Sequence, residues 1–549
     1  MGKSRKSAQR SKQQVEAAKR TNGEYYAYAL LVLVIVFFAA IRFRLRTMPL
    51  ERDEGEYAYA GQLMLQGIPP YKLAYTMKLP GTQAAYAVLM AVFGQTPAGI
   101  HIGLILVNAA TTLLMYLLAA RLSGRLAGVV AAASYAVLST SLSVLGVPAH
   151  ASHFVVLFAV AGILVLLKAI ETRRMWQLFA SGFLLGLAFL MKQPGIAFGV
   201  FGGLYLLKSE WKRPIQWKSL LSKVSCYGAG VVLPFVLTCL ILLHAGVFKN
   251  FWFWVFTYAG QYTSENSLSL GLAAFIQTFP GVVGPAVWVW IIAAVGLTAL
   301  WWHAQSRRYA TLLGGFLFFS FLAVCPGLFF REHYFILMLP AVALLAGMAV
   351  HSTTEVLAGK GGVALAAIPA LVFSGALGYA VFEQRAFLLE EDPVVVCVER
   401  YSTNPFPEAV VAQYLEAHTA ADDPIVVLGS EPEIYFYAKR HSATGFIYVY
   451  GLMEQQKYSL EMQKKMIGEI ESARPPYLVI AKSRLSWLPK EGSPEALSMT
   501  SWIQSLLSGY ELEGIAERVG DNTEYRWGDE AKAYRPHSQN IVRLFKRKS

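Results

Sequence analysis

Long runs without a charged residue set the strongest limit on what this chain can become. Ala27–Ile41, Gly103–Ala120, Phe154–Leu167 and Gly284–Trp302 contain no Asp, Glu, Lys or Arg. Most of these runs reach, or nearly reach, the ~20 residues that a helix needs to cross a bilayer core. Hydrocarbon offers backbone amides no water, so such runs cross as helices. The composition agrees: 15% of the residues are charged, against about 25% in a soluble domain. A formal net charge of +13 would suit nucleic acid, but the basic residues fall in short clusters between apolar runs, the pattern of membrane topology. No nucleic-acid partner is expected. Cys226, Cys239 and Cys325 lie in or beside apolar runs, and Cys397 is alone in the polar C-terminal region. Neither a disulfide within that region nor a cysteine metal site is expected.

Residues 1–24 are rich in Lys, Arg, Gln and Ser and read as a disordered cytoplasmic tail. The run from about Tyr25 to Ile41 is followed by Arg42, Arg44 and Arg46 rather than by a small-residue cleavage site. That predicts a retained signal anchor and an outer loop over 42–98. Further spans are predicted near 99–120, 126–145, 151–169, 176–191, 195–207, 224–244, 282–302, 309–329, 334–350 and 362–382, about eleven with the first. Arg121–Arg125, Lys168–Arg174, Lys208–Lys223, His303–Arg308 and His351–Lys360 then lie inside, and most hold the Lys and Arg clusters, as the positive-inside tendency requires. An odd count puts the C-terminus outside a cell (inner) membrane. Phe248–Tyr262 is aromatic-rich and reads as an interfacial helix.

From about Glu383 the composition changes. Strand-like runs Val394–Val398, Ile425–Leu428, Tyr477–Ile480 and Ile541–Phe545 alternate with helical stretches Glu408–His418 and Met453–Glu471. The expected architecture is therefore an all-α polytopic membrane domain over 25–382 with a small extracytoplasmic α/β domain over 383–549.

The outer loop opens with Arg52-Asp53-Glu54-Gly55-Glu56-Tyr57. Asp53 as helix N-cap, with Glu56 three residues on, would make a structural capping pair. Scarcity argues for chemistry: after Glu56 the next acid is Glu171, placed inside, and the other outer acids of the membrane half are Glu51, Glu265 and Glu332. A general base on the outer face comes from this short set. Lys78, in Met77-Lys78-Leu79-Pro80, and Arg331, in Phe330-Arg331-Glu332-His333-Tyr334, fall on the same face. Interfacial cations often only snorkel. Beside a carboxylate cluster they suit an anionic lipid headgroup, the arginine as a fork on phosphate and the lysine as a point charge.

RDEGEYAY, MKLPGT about twenty residues on, FLMKQPG after the fifth span and REHYFILMLP later resemble the GT-C type integral-membrane glycosyltransferases, nearest the bacterial members related to protein O-mannosyltransferases and lipid A aminoarabinose transferases. The resemblance covers roughly residues 25–350, and the segment GSEPEIYFYAKR resembles a small extracytoplasmic domain of many bacterial members. It implies inverting transfer of a sugar from a polyprenyl-phosphate carrier to an acceptor hydroxyl on a lipid, glycan or protein. It further implies that Asp53 corresponds to the catalytic acid, with Glu54 beside it positioning the acceptor. Lys78 corresponds to a phosphate contact, and Arg331 and Tyr334 to carrier binding; Tyr57, Lys192 and Glu332, within the same motifs, join the substrate-binding candidates.

Two features depart from the family pattern. Met77 stands where aminoarabinose transferases carry an acid, and the loop Gly146–His153 has no acid where many relatives do. His150 and His153 can substitute there as metal ligands or as donors to a carboxylate, so a divalent metal stays open, although a histidine pair at a helix start is more often packing. A transporter or flippase for a glycolipid is the alternative, but the chain shows neither internal repeats nor charged segments at mid-membrane. A receptor or scaffold that binds through the C-terminal domain is a third option.

Overall fold

The computed structural model describes residues 24–548 except 212–213, 264–265, 402–405, 483, 489–491 and 521. The basic tail before Glu24 and the outer acid Glu265 lie outside the described residues. Six described helices are long and apolar enough to cross a membrane: α1 (Glu24–Thr47), Pro97–Thr140, Ala151–Thr172, Trp217–His244, Leu268–Trp302 and Glu332–Glu383. Gly81–Phe93, Met175–Met191 and Ala310–Val324 are shorter apolar helices.

Two of the long stretches double back. Tyr135 donates to Asn108 Oδ1 at 3.4 Å although 27 residues separate them, about 40 Å along a straight helix. The reversal falls at Ser123 and Gly124, where Gly124 has φ 81°, a conformation that only glycine adopts at low cost. Leu339–Glu383 breaks in the same way at Gly361 and Gly362. Both of its ends meet the turn after the first hairpin: Ser141 donates to Gln384 at 2.6 Å, and the 3-10 segment Glu332–Met338 packs on Leu142–Val144.

The first outer loop carries α2 (Arg52–Leu65) and α3 (Gly81–Phe93). Glu51, not Asp53, caps α2: its carboxylate accepts from the Glu54 amide at 2.9 Å while Glu54 accepts from the Glu51 amide at 3.3 Å. The expected Asp53 cap is therefore corrected, and the side chain of Asp53 is released from capping.

Phe248–Thr263 is helical, with a π-helical stretch at Phe253–Tyr258. Several of its rings are core rather than interface. Phe251 is buried against Tyr71, and Trp254 stacks on Tyr75 at 5.4 Å. The helix Leu268–Val283, which precedes the span expected at 282–302, was not anticipated.

The C-terminal region holds a five-stranded sheet in the order β1-β2-β5-β3-β4, formed by β1 (Ile425–Leu428), β2 (Tyr477–Lys482), β3 (Tyr510–Val519), β4 (Asn522–Trp527) and β5 (Ile541–Arg547). β1 and β2 are parallel and the other pairs antiparallel. Val394–Val398, expected as a strand, is part of a helix, Pro393–Tyr401. Asp392 accepts the Val394 amide at 2.8 Å, and an aspartate followed by proline starts a helix here despite the four valines of the run.

The sheet region docks on α2. Tyr59 stacks on Tyr435 at 5.1 Å and accepts from the Ser442 amide at 2.8 Å. Gly55 lies so close to the helix Glu433–Ala438 that an added Cβ would sit 2.6 Å from Glu433 Cβ. One hydrophobic core runs from the membrane helices through α2 into β1 and β2.

Candidate functional site

The start of α2 sets one wall of a polar cluster. Successive residues of a helix point about 100° apart, so Asp53, Glu54 and Glu56 leave the same turn in different directions. Asp53 and Glu56 converge on Lys78, which donates to Asp53 Oδ1 at 2.8 Å and to Glu56 Oε2 at 2.6 Å. Thr76 also donates to Glu56. The Lys78 ammonium lies 4.4 Å from the Tyr57 ring and 5.9 Å from that of Tyr448. Glu56 is fully buried, whereas Asp53 keeps 26% of its side chain exposed.

Glu54 turns the other way. It is fully buried and lies 3.0 Å from His101 Nε2, and it accepts the Ala149 amide at 2.6 Å. Its oxygens are thus committed to protein groups, pinning the Gly146–His150 loop to α2. The other nitrogen of His101 faces the Arg46 carbonyl at 2.8 Å.

That loop and the Glu332–Met338 segment bring two imidazoles to Asp53. His150 and His333 stack with ring centres 4.2 Å apart and planes 13° apart. His333 Nε2 is 3.8 Å from Asp53 Oδ2, and His150 Nδ1 is 3.7 Å from Glu51 Oε1. One ligand atom each from Asp53, His150 and His333 lie within 4.8 Å of one another. The donor types suit a zinc-class ion. However, a metal sits in the plane of each imidazole that binds it, and two nearly parallel planes share no such point. The contacts of the two imidazoles with Asp53 and Glu51 are longer than hydrogen bonds, and His150 Nε2 is buried with no hydrogen-bond partner among the described residues.

The other cations approach from the turn between the helices Met175–Met191 and Ile196–Glu210. Gln193 donates to the Met77 carbonyl at 2.6 Å and Thr82 to the Met191 carbonyl at 2.8 Å, fixing this turn against the Lys78 loop. Lys192 Nζ then stands 4.0 Å over the Tyr334 ring. Arg331 is exposed at the start of the same 3-10 segment as Tyr334.

Electrostatics separate the groups. Burial would raise the Asp53 carboxyl, but Lys78, with His333 and His150 behind it, holds it well below the usual carboxylate range. Burial, then the charges of Asp53 and Glu54, push Glu51 well above that range. Burial lowers His150 to about 4. Lys192 is lowered to about 7, mainly by burial, with Lys78 and Arg331 adding to the effect and Asp53 opposing it.

Of the residues expected from sequence, Asp53, Lys78, Tyr57, His150, Lys192, Arg331 and Tyr334 come to one end of the helix bundle. His153 is fully buried inside its helix and outside the Asp53 trio. Glu332 is exposed beside Arg331. Glu56, His101, His333, Tyr448 and Tyr450 were not expected as site residues. Glu56 and His333 stood inside quoted motifs, and the turn geometry that aims them inward was the missing signal.

Residues 78–242 match the family described as dolichyl-phosphate-mannose-protein mannosyltransferase. Among solved structures, the chain is similar to ArnT from Cupriavidus metallidurans bound to undecaprenyl phosphate, at 16% identity over 94% of this chain and 97% of that one, with a TM-score of 0.60. It is also similar to the Archaeoglobus fulgidus oligosaccharyltransferase AglB in complex with an inhibitory peptide and a dolichol-phosphate. There the identity is 12% over 92% of this chain and 74% of that one, with a TM-score of 0.51. No curated protein matches the chain in sequence.

Proposed function

We propose, from the premise that this multi-pass membrane protein has the GT-C glycosyltransferase fold, that it moves a sugar from a polyprenyl-phosphate carrier to an acceptor hydroxyl with inversion. The observation that carries this reading is the convergence of a partly exposed carboxylate, Asp53, with Lys78 and with Lys192 over Tyr334, at the end of the bundle where Arg331 also lies. A carboxylate able to take a proton beside cations able to meet a leaving phosphate is what this displacement needs.

In the proposed reaction the acceptor oxygen bonds to the anomeric carbon as the bond from that carbon to the phosphate oxygen breaks. The acceptor proton goes to Asp53, and the lipid phosphate leaves with its electron pair toward Lys78, Lys192 and Arg331. The sugar arrives in the membrane plane, so no nucleotide site is required. In this reading the chain crosses about eleven times with the hairpins at Gly124 and Gly362 on the cytoplasmic side, so that this end and the C-terminal region lie outside the cell membrane. Similarity to proteins captured with undecaprenyl phosphate and dolichol-phosphate supports the carrier class; the acceptor is a lipid, a glycan or a protein.

The test is transfer of radiolabel from a polyprenyl-phosphate sugar by the purified protein in detergent, with extracts of envelope lipid, glycan and protein offered as acceptors. Label appearing in an acceptor supports the reading. Carrier binding or movement across vesicles without label transfer favours a transporter.

A further inference from the structure

Glu431, Tyr448 and Tyr450 belong to the sheet region, far along the chain from the outer loop, yet all three hold the residue next to Asp53. Arg52 pairs with Glu431 at 3.0 Å and donates to the Tyr450 hydroxyl. The Tyr448 hydroxyl donates to the Arg52 carbonyl at 3.0 Å. The two tyrosine rings stack at 5.6 Å and 17°. They form a column with the Arg52 guanidinium 5.6 Å from Tyr450 at one end and Lys78 5.9 Å from Tyr448 at the other. Glu431 is itself fixed, because its second oxygen accepts from Ser486 at 2.8 Å.

We infer that the C-terminal domain completes the active centre, with Glu431, Tyr448 and Tyr450 as positioning residues that set the direction of Asp53 and wall the outer side of Lys78. Asp53 lies at the second residue of α2, in a first turn whose amides lack partners within the helix, and the cap and these contacts restrain its backbone. The Arg52 carbonyl is part of the Arg52–Asp53 peptide, so the Tyr448 bond acts directly on the peptide that carries the carboxylate. Helix ends fray when unsupported, and an error of about 1 Å in a reacting group costs on the order of 10²-fold in rate. The close approach at Gly55 makes the docking a backbone contact rather than a side-chain tether.

The inference rests on the proposed transferase reading, and its test separates the two. Tyr448→Phe, Glu431→Gln and the double variant are compared in the full-length protein with Glu416→Gln, which alters an exposed pair with Lys439. Transfer rate, affinity for undecaprenyl phosphate and hydrogen exchange at residues 52–57 are measured. Turnover is expected to fall about 10–100-fold in the first two variants with carrier affinity unchanged and faster exchange at 52–57, while Glu416→Gln stays at the wild-type level. A general loss of stability would instead speed exchange across all helices and lower carrier affinity as well. Wild-type turnover and exchange in both variants overturn the inference while leaving the transferase reading intact. If the wild-type protein transfers no sugar, the exchange result alone decides: faster exchange confined to 52–57 supports the positioning role, and unchanged exchange ends it.

Discussion

Asp53→Asn separates the chemical role of this residue from any structural one. Because Glu51 caps α2, the substitution removes no cap. Lys78 keeps Glu56 at 2.6 Å, so no buried ammonium is left unpaired. The Asp53–Lys78 pair is about a quarter exposed on both sides, and an asparagine Oδ1 can still accept from the Lys78 ammonium, whose charge Glu56 continues to balance. The thermal midpoint in detergent should therefore stay nearly unchanged. Loss of a general base removes about 10²–10⁴-fold in rate, equivalent to about 2.7–5.5 kcal/mol of barrier. The assay is single-turnover label transfer beside a melting curve on the same preparation. Wild-type turnover in Asp53→Asn would refute the assignment and pass the role to His333, the basic group 3.8 Å away. A collapse of stability would refute the reasoning about the cap.

Glu54→Gln should behave in the opposite sense, lowering stability by roughly 1–3 kcal/mol because it weakens fully buried hydrogen bonds to His101 and the Ala149 amide; a melting curve like that of wild type would contradict this. Affinity for undecaprenyl phosphate should weaken as pH rises through about 7, because Lys192 is charged only below its lowered pKa of about 7. Lys192→Arg should flatten that profile, and a wild-type profile flat from pH 6 to 8 would count against the contact. His150 is lowered to about 4, so the folded state binds fewer protons than the unfolded chain between there and about 6.5; stability should fall as pH drops through that window, and His150→Gln should reduce the slope, His333, also lowered by burial, keeping its share. Transfer should persist after chelation, given the parallel imidazoles of His150 and His333; complete loss restored by one added divalent metal would overturn that reading.

Much of the fold was legible because the bilayer requires it. Uncharged runs and Lys- and Arg-rich turns mark spans from composition alone, and β1, β2 and β5 announce themselves as short branched apolar runs. β3 and β4 did not, because Glu511, Glu513, Glu517 and Arg518 interrupt Tyr510–Val519 with charge and Asn522–Trp527 is mostly polar, so neither offers an apolar run to find. The cap of α2 was ambiguous in principle: Glu51 with Glu54 and Asp53 with Glu56 have the same spacing. The choice was made by distant residues such as Tyr437, which accepts the Leu50 amide at 2.8 Å. His333 was passed over for Arg331 and Tyr334 because sequence does not reveal a 3-10 turn, whose three-residue period turns His333 inward and leaves Glu332 outside.

The position of Lys78 between two carboxylates orders the steps of the proposed reaction. Asp53, Glu56 and Lys78 together carry one net negative charge, which repels a lipid phosphate unless other cations outweigh it. In the proposed reaction Lys192 and Arg331 serve as those cations; Lys192 lies against a ring face at 4.0 Å, so meeting a phosphate would not require it to abandon a carboxylate. With Lys78 on it, Asp53 is ionised but a poor proton acceptor, since the same ammonium that depresses its pKa disfavours protonation. In the proposed reaction a carrier phosphate arriving at Lys192 and Arg331 would draw on Lys78 as well, which would weaken its hold on Asp53 and raise the basicity of that carboxylate. Glu56, buried and bonded by Thr76, keeps Lys78 in place through the exchange. On this proposal the base would strengthen as the leaving group binds, and the acceptor hydroxyl would keep its proton in an empty site.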